Sequence, residues 1–378
     1  MGGKLTLDAR VGQSRQSGLM PRLLLSLALT AALVVSLSAG QGGPTLDIYV
    51  VDTEGGKAAL YVTPSGEAVL IDTGNHGGRD AGRIMEAVTD ARLTQIDYLV
   101  STHYHLDHVG GMLDLARRVP IRHFIDHGPS VEEREQVEGF QAAYAALRAG
   151  ASHQIAKPGD RLQIASVDWR IVTSAAQVLK TPLPGGGHPN ASCASSPARN
   201  PNTREDSQSV GSVVTFGQFR VLDLGDLPWN QELELMCPTN PIGAVDLYMV
   251  SVHGLAGSGS EALVHGVSPR VAVMQNSPRK GASLQAMNIM RTSPGLEDIW
   301  QLHWSYVAGV EQNSAGAFIA NLEEPATLAA QIAPGAAAVD SAAAAHTPAH
   351  WIKISARSDG TFTITNSRTD FRKTYLRR

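Results

Sequence analysis

The sequence is poor in charge, in cysteine and in long apolar runs, and each shortage excludes a class of protein. Charged residues make up 17% of the 378 residues, while hydrophobic residues make up 43%. This apolar fraction can build a core, so the composition excludes disorder over most of the chain. Only one apolar run approaches membrane length, which excludes a polytopic membrane protein. A net charge of −4 gives no basic surface of the kind that binds nucleic acid.

The single long apolar run lies at 23–40, reads LLLSLALTAALVVSLSAG and follows Arg22. A basic flank, an uncharged apolar core and small residues at its end are typical of a secretory signal peptide. We therefore predict a signal peptide over 1–40, with Met20 as an alternative start, and export to the periplasm or the outside of the cell. A permanent membrane anchor is the alternative, because about 18 apolar residues can just span a bilayer.

The two cysteines, Cys193 and Cys237, do not form a Cys-x-x-Cys pair. They therefore do not indicate a structural zinc site. In an oxidising compartment they could form one disulfide. Two free buried thiols are the alternative, and the sequence leaves the choice open.

Short apolar strands alternate with helical segments, which is typical of a layered α/β protein. The periodicity predicts helices over 79–93 and 131–150, and hairpins around Pro64-Ser65-Gly66 and Asp359-Gly360. We expect a catalytic domain over 41–325, an Ala/Pro-rich low-complexity excursion over 326–350, and a closing β-hairpin over 351–378 packed on the domain. The Pro- and Gly-rich stretch over 181–208 reads as a long loop.

The most informative window is HYHLDH at 103–108, which follows an apolar strand and precedes two glycines. His103, His105, Asp107 and His108 place three imidazoles and a carboxylate within six residues. These groups are ligands for zinc and similar divalent metals. A solvated His-rich loop is the alternative, but the density of ligands after a buried strand favours a metal site.

The chain resembles the metallo-β-lactamase fold superfamily in four motifs that occur in the family's order. LIDTG (70–74), HYHLDH (103–108), LDLGD (222–226) and SVHG (251–254) each end an apolar strand. The resemblance implies an α/β fold, a four-layered αββα sandwich with two mixed β-sheets flanked by helices. The subgroup that the sequence is most similar to is the hydrolase domain of DNA-uptake competence proteins.

The resemblance also implies two divalent metal ions, with Zn²⁺ as the first choice and Mn²⁺ or Fe as alternatives. His103 and His105 would bind the first ion, while Asp107, His108 and His253 would bind the second. Asp226 would lie between the two ions, and Asp72 would orient the metal ligands by contacting them without binding an ion itself. Asp72 and Asp107 are the predicted catalytic carboxylates, and Asp107 would accept the proton of the attacking water.

The chain departs from the family pattern in two places. Many members supply a further His to the first metal from a third motif, and no His here stands in a comparable position. Asp206, in REDSQ, occupies roughly that place and could replace the imidazole, and His188 in the Gly-rich loop is the weaker candidate. A weaker or singly occupied first site is the alternative. Relatives in the subgroup often carry two adjacent His before the glycine, whereas Val252 precedes His253 here.

The predicted function is an exported metal-dependent hydrolase that uses a metal-activated hydroxide. Its substrate would be an ester or lactone, a β-lactam or other amide, or a phosphodiester. No GxSxG nucleophile motif competes with this interpretation. His127, His303 and Trp304 are candidate substrate contacts. We expect a small-molecule substrate, no stable nucleic-acid complex and no membrane contact beyond the signal peptide, and the oligomeric state stays open. A di-iron oxidoreductase and a non-catalytic binding protein with a vestigial site are the alternatives.

Overall fold

The structure is a computed structural model that describes residues 43–132, 135–307, 309–322 and 347–378. The predicted signal peptide lies outside the described residues, as does the Ala/Pro-rich excursion apart from 347–350. None of the helices in the described ranges is both long and apolar enough to cross a membrane.

Two large β-sheets and one short ribbon organise the described chain. The strands, in chain order, are β1 (Leu46–Val50), β2 (Ala59–Val62), β3 (Ala68–Ile71), β4 (Ile96–Val100), β5 (Ile121–Asp126), β6 (Ser152–Ile155), β7 (Arg161–Leu162), β8 (Asp168–Ser174), β9 (Gln177–Val178), β10 (His188–Pro189), β11 (Gly211–Phe216), β12 (Phe219–Asp223), β13 (Thr239–Asn240), β14 (Leu247–Met249), β15 (Val271–Met274), β16 (Asp298–His303), β17 (Ile319–Asn321), β18 (Ile352–Ala356), β19 (Phe362–Asn366) and β20 (Arg372–Tyr375). The helices are α1 (Arg79–Asp90), α2 (Leu106–Val109), α3 (Met112–Ala116), α4 (Glu135–Arg148), α5 (Trp229–Met236), α6 (Glu261–Val267) and α7 (Leu284–Arg291).

Each large sheet has a parallel half and an antiparallel half. The first sheet has the order β20-β19-β18-β1-β2-β3-β4-β5-β6 and is parallel from β3 to β6. The second has the order β17-β16-β15-β14-β12-β11-β8-β7, with β9 paired to β8, and is parallel from β12 to β17. Loops that follow parallel strands meet at one edge of a sheet, and the four sequence motifs all lie in such loops.

Three apolar clusters define the layers. Successive side chains of a strand point to opposite faces, and β3 illustrates the result. Val69 and Ile71 join the cluster between the two sheets, while Leu70 packs with Ile84 of α1 on the outer face of the first sheet. A third cluster covers the outer face of the second sheet with α5, α6 and α7. The order helix, sheet, sheet, helix confirms the predicted αββα sandwich.

Most of the local predictions agree with the structure. The helices over 79–93 and 131–150 correspond to α1 and α4, and the hairpin around Pro64-Ser65-Gly66 joins β2 to β3. The hairpin around Asp359-Gly360 joins β18 to β19. The segment 351–378 contains more than the predicted hairpin. A third strand, β20, pairs with β19, and β18 pairs with β1, so the C-terminal segment extends the first sheet.

The long loop over 181–208 is ordered by local turns and by contacts with residues 237–240 of the same chain. β10 pairs with β13, and two 3₁₀ turns occupy Ala191–Ser195 and Glu205–Gln208. Cys193 is disulfide-bonded to Cys237, which settles the open choice between a disulfide and free thiols. The bond links the loop to the end of α5.

Candidate metal centre

The candidate ligands gather where the parallel halves of the two sheets end. Asp72 follows β3, the HYHLDH loop follows β4, Asp226 follows β12, and His253 follows β14. The backbone at these loops is unusual, because Asp72 and His253 have positive φ angles of 59° and 55°. Non-glycine residues in this region are uncommon and concentrate at functional sites. Gly225, before Asp226, also has positive φ, and a Cβ there would lie 2.8 Å from Thr102 Cβ.

Within the described ranges, the potential ligand atoms fall into three overlapping groups, in each of which all atoms lie within 4.8 Å of one another. These groups are His103 with His108 and Asp226; His103 with His105 and Asp206; and Asp107 with His108 and His253. The overlap joins the predicted ligands of both metals, and Asp206, into one continuous cluster. His188 is in none of these groups, and it is exposed in the β10 strand opposite Asn240.

The first site is formed by His103, His105 and Asp206. His103 Nε2 lies 3.0 Å from His105 Nδ1, and Asp206 Oδ1 lies 2.9 Å from the same Nδ1. Asp206 Oδ1 is also 3.7 Å from His103 Nε2. The carboxylate of Asp206 therefore lies beside both imidazoles.

The second site is formed by Asp107, His108 and His253, with Asp226 beside it. Nε2 of His108 and Nε2 of His253 each lie 3.4 Å from Asp226 Oδ2. Asp107 Oδ2 lies 3.6 Å from His108 Nε2 and 3.4 Å from His253 Nε2. Because Asp226 also groups with His103, its carboxylate contacts both halves of the cluster.

Each histidine is oriented by a contact to its other ring nitrogen. His108 Nδ1 lies 2.7 Å from Asp72 Oδ2, and His253 Nδ1 lies 3.0 Å from the carbonyl oxygen of Gln275. The remaining two contacts join His103 Nδ1 to Thr102 Oγ1 at 3.1 Å and His105 Nε2 to Glu132 Oε1 at 3.4 Å. Such partners fix the tautomer and the ring orientation of metal-binding histidines.

The donor set fits a metal ion, because two buried histidine nitrogens in it have no hydrogen-bond partner. In the described part of the chain, Nε2 of His108 and Nε2 of His253 are buried and have no hydrogen-bond partner. A buried polar atom without a partner costs free energy, and native proteins contain few of them. Both atoms face the carboxylates of Asp107 and Asp226, and an ion bound between these groups would satisfy them.

The charges of the cluster keep its carboxylates ionised. Burial alone would raise the pKa of Asp226, yet the imidazoles of His253 and His108 hold that pKa well below its ordinary value. The pKa of Asp107 is likewise held well below its ordinary value, since the same imidazoles outweigh burial. Burial would lower the pKa of His108, but three carboxylates raise it to about 10, those of Asp226, Asp107 and Asp72. Ionised carboxylates are the form that binds metals.

A buried polar layer supports the cluster from behind. Asp72 accepts hydrogen bonds from the Thr102 backbone NH and hydroxyl, at 2.8 and 2.7 Å. Lys57 pairs with Asp223 at 2.9 Å, and both side chains are buried. Because Lys57 precedes β2 and Asp223 ends β12, this ion pair joins the two sheets beneath the centre.

Two of the three predicted substrate contacts are buried inside the protein. His303 is fully buried, and its Nε2 lies 2.7 Å from Asp52 Oδ1. His127 is also buried, with its Nε2 2.7 Å from Glu205 Oε1. Neither ring is exposed to a substrate, since each pairs with a carboxylate inside the protein. Trp304 is partly exposed at the end of β16, and its role stays a prediction.

Several residues around the cluster were not predicted from the sequence. Glu205 accepts from His127, the Ser130 hydroxyl and the Val131 NH, and thereby fixes the loop that carries Glu132. Its position directly before Asp206 was the available signal. Lys280 was also missed, although it lies in a basic loop, SPRKGAS, directly after a buried strand.

The family comparison agrees with this architecture. Residues 52–194, fewer than half of the chain, match the family model of the metallo-beta-lactamase superfamily. The matched range includes Asp72 and the HYHLDH loop, and it ends before Asp206. The chain has the metallo-β-lactamase fold. No curated protein sequence matches the chain.

Several solved structures resemble this metallo-β-lactamase fold at low identity. The metallo-beta-lactamase fold protein YhfI from Bacillus subtilis is 12% identical with a TM-score of 0.44, over 68% of this chain and 96% of that one. CmlA, a diiron beta-hydroxylase from Streptomyces venezuelae, is 14% identical with a TM-score of 0.37, over 67% of this chain and 48% of that one. A diphosphatase from the PhnP family is 13% identical with a TM-score of 0.38, over 67% of this chain and 94% of that one.

Proposed function

We propose that this protein is a metal-dependent hydrolase with a dinuclear centre. The observation that carries the proposal is the pair of buried, unpartnered Nε2 atoms of His108 and His253, which face Asp107 and Asp226. A structural cluster of histidines would pair these atoms internally, as the buried Nε2 of His303 is paired with Asp52.

The two metal ions would share Asp226. His103, His105 and Asp206 would hold the first ion, and Asp107, His108 and His253 would hold the second. When bound, two divalent ions lower the pKa of a water molecule towards neutrality and stabilise the negative charge that develops on the substrate.

The protein's own residues supply orientation and a proton acceptor. Asp72 accepts from His108 Nδ1 and so directs His108 Nε2 towards the centre. Asp107 is ionised and its side chain is 25% exposed, so a proton from water can reach this carboxylate. Lys280 Nζ lies 2.5 Å from Asp107 Oδ2 and limits how the carboxylate can turn.

The reactive bond would be an ester, lactone, amide or phosphodiester bond. The resemblance of LDLGD and the following segments to competence-protein hydrolase domains supports a phosphodiester. The apolar run at 23–40 supports export, so the enzyme would act in the periplasm or outside the cell.

Turnover of a small substrate panel with and without a chelator tests the proposal. The panel contains a lactone, a cephalosporin and bis(p-nitrophenyl) phosphate. We expect metal-dependent turnover of at least one, and a loss of at least about 100-fold in D226N, which removes a charge shared by both sites. His188→Ala is the matched control, because His188 is an exposed histidine outside the ligand groups. No chelator-sensitive turnover together with no bound metal would favour a vestigial binding protein.

A di-iron oxidoreductase is the second candidate, and the ligand set favours it in one respect. With Asp206 in place of an imidazole, each site has two histidines together with carboxylates. Sites of two histidines and one carboxylate suit non-haem iron. Iron as the bound metal, with a visible absorption band and no hydrolysis, would support this candidate over the hydrolase.

A further inference from the structure

Each candidate metal site takes its ligands from both sheets. The loop after β4 of the first sheet supplies the ligands within 103–108. The second sheet supplies Asp206 before β11, Asp226 after β12 and His253 after β14. The distance between the ligands of one site therefore depends on how the loops of the two sheets are held against each other.

Lys57 contacts two loops of the first sheet through its backbone. Its NH donates to the Asp107 carbonyl oxygen at 3.0 Å, and its carbonyl oxygen accepts from the Gly74 NH at 2.9 Å, in the loop that begins with Asp72. The preceding residue is also close, because a Cβ at Gly56 would lie 2.3 Å from the same Asp107 oxygen. The backbone of Lys57 therefore fixes the Asp107 loop against the Asp72 loop.

The side chain of Lys57 reaches the second sheet. Its Nζ lies 2.9 Å from Asp223 Oδ1, and the Lys57 and Asp223 side chains are 3% and 1% exposed. Asp223 Oδ1 also accepts from the Gly225 NH at 3.0 Å, which fixes the turn that leads to Asp226. Lys57 therefore connects Asp107, a ligand of the second site, with the loop of Asp226, the shared ligand.

Burial makes this connection resistant to separation. An exposed ion pair contributes little to stability, whereas breaking a buried pair leaves uncompensated charges inside the protein and is strongly unfavourable. Movement of the loop after β12 away from Lys57 would break such a buried pair. The ion pair therefore opposes an increase in the distance between Asp107 and the Asp226 loop.

The first site is connected across the sheets by a different residue. Glu205, directly before Asp206, accepts from the backbone NH of Tyr104 at 3.2 Å. Tyr104 lies between the two histidines of the first site in the HYHLDH loop. The first site therefore has a cross-sheet contact of its own, which does not involve the Lys57–Asp223 pair.

We propose that Lys57 is a positioning residue of the dinuclear centre, which sets the second metal site by joining Asp107 to the loop of Asp226. The inference rests on the proposed metal-dependent hydrolase. It assigns to each ion a separate buried connection between the sheets, Lys57 with Asp223 for the second ion and Glu205 for the first. Loss of the Lys57 connection then weakens one ion and leaves the other in place.

The Zn²⁺ affinity of each site in K57M/D223N tests the proposal. This double variant leaves no buried charge unpaired, and its asparagine oxygen still accepts from the Gly225 NH. D223N alone is a milder second variant, because the same oxygen can also accept from Lys57. The matched control is R270M, since the Arg270 side chain is 4% exposed, pairs with Glu297 at 2.7 Å and precedes β15, whereas the ligand loops follow strand ends.

Zn²⁺ is titrated against a chromophoric chelator, and thermal unfolding of each variant checks the fold. The two sites are measured separately in backgrounds that lack the other site, H103A/H105A for the second and D107A/H253A for the first. We expect K57M/D223N to weaken the second site about tenfold or more, the loss typical of residues that orient metal ligands, and to leave the first site unchanged. D223N should give a smaller loss at the second site, and R270M should change neither site.

Selectivity separates positioning from a general effect on the fold. A substitution that only loosens the protein would weaken both sites alike, so equal losses at the two sites would overturn the proposal. An unchanged second site in both K57M/D223N and D223N would overturn it as well, and so would a loss in R270M as large as that in K57M/D223N.

The outcome is separable from that of the hydrolase proposal. Selective loss of the second ion in K57M/D223N, with no chelator-sensitive turnover of the substrate panel by the wild type, would retain Lys57 as a positioning residue and refute the hydrolase. Chelator-sensitive turnover by the wild type, with both sites unchanged in K57M/D223N, would refute the role of Lys57 and retain the hydrolase.

Discussion

Replacing Asp72 by asparagine tests how the second metal site is oriented. Asp72 Oδ1 accepts from the Thr102 NH, and Oδ2 accepts from the Thr102 hydroxyl and lies 2.7 Å from His108 Nδ1. In D72N one oxygen becomes an NH₂ group, and because the remaining oxygen is needed to accept from the Thr102 NH, the NH₂ group faces His108 Nδ1 and cannot accept a hydrogen bond from it. The His108 proton then moves to Nε2, the atom that faces the metal site.

The expected loss of metal affinity can be estimated from mutations of comparable residues in other metal sites. Mutation of a residue that orients a metal-binding histidine typically costs about 10- to 100-fold in metal affinity, or about 1.4 to 2.7 kcal/mol. The fold should tolerate the change. Burial raises the pKa of the Asp72 carboxyl, although His108 and Lys57 act against burial, so a neutral side chain is not disfavoured at this position.

Competition with a chromophoric chelator measures the affinity of each metal site, and thermal unfolding checks the fold. Asp126→Asn is the matched control, because Asp126 is a buried carboxylate that contacts His153 outside the ligand groups. We expect D72N to weaken the second site and D126N to leave that site unchanged. A D72N protein that binds two ions with wild-type affinity would refute the reasoning about the His108 tautomer.

Three further predictions concern stability and the first site. Burial raises the pKa of Glu232 to about 7, although hydrogen bonds from the backbone NH groups of Ser260 and Gly259 act to lower it. Since the folded pKa exceeds the unfolded value of about 4.5, this group's stability contribution is complete below pH 4.5 and is lost as pH rises through 7. In denaturant unfolding, the free energy of unfolding of the wild type should fall by about 3 kcal/mol relative to that of E232Q between pH 4.5 and pH 7. Unfolding free energies of the two proteins that change in parallel with pH would contradict this. Opening the Cys193–Cys237 disulfide, which closes a separation of 44 residues, should cost about 4 kcal/mol in denaturant unfolding, and an unchanged midpoint in C193S/C237S would contradict it. E205Q should weaken the first metal site without affecting the second in a chelator titration, because a glutamine cannot accept from all the donors around Glu205; equal losses at both sites would contradict a local effect.

The local parts of the fold are predictable because they depend on short-range patterns. The apolar runs of β3, β4, β12 and β14 and the motifs that follow them place the ligands at strand ends. Parallel strands then bring those ends to one edge. The HYHLDH spacing is likewise sufficient to indicate a metal site, since three imidazoles and a carboxylate within six residues form a typical donor set for a divalent metal.

The parts that sequence reasoning misses depend on contacts between distant positions. His303 pairs with Asp52 across 251 residues, and Lys280 contacts Asp107 across 173 residues. No periodicity signals such pairs, so the sequence alone suggests a substrate contact at His303 and gives no role to Lys280. The candidate third ligand of the first site lies in a loop without regular spacing, and only the folded chain shows that Asp206, and not His188, lies beside His103 and His105.

Metal content is the most direct test of the central claim that the cluster forms a dinuclear centre. Purified protein is reconstituted separately with Zn²⁺, Mn²⁺ and Fe²⁺, and bound metal is counted by mass spectrometry for the wild type and for H103A/H105A. We predict two ions per wild-type chain with at least one of these metals, and a loss of the first ion in the variant. A wild-type chain that retains no ion above background, or equal metal content in both proteins, would contradict the account.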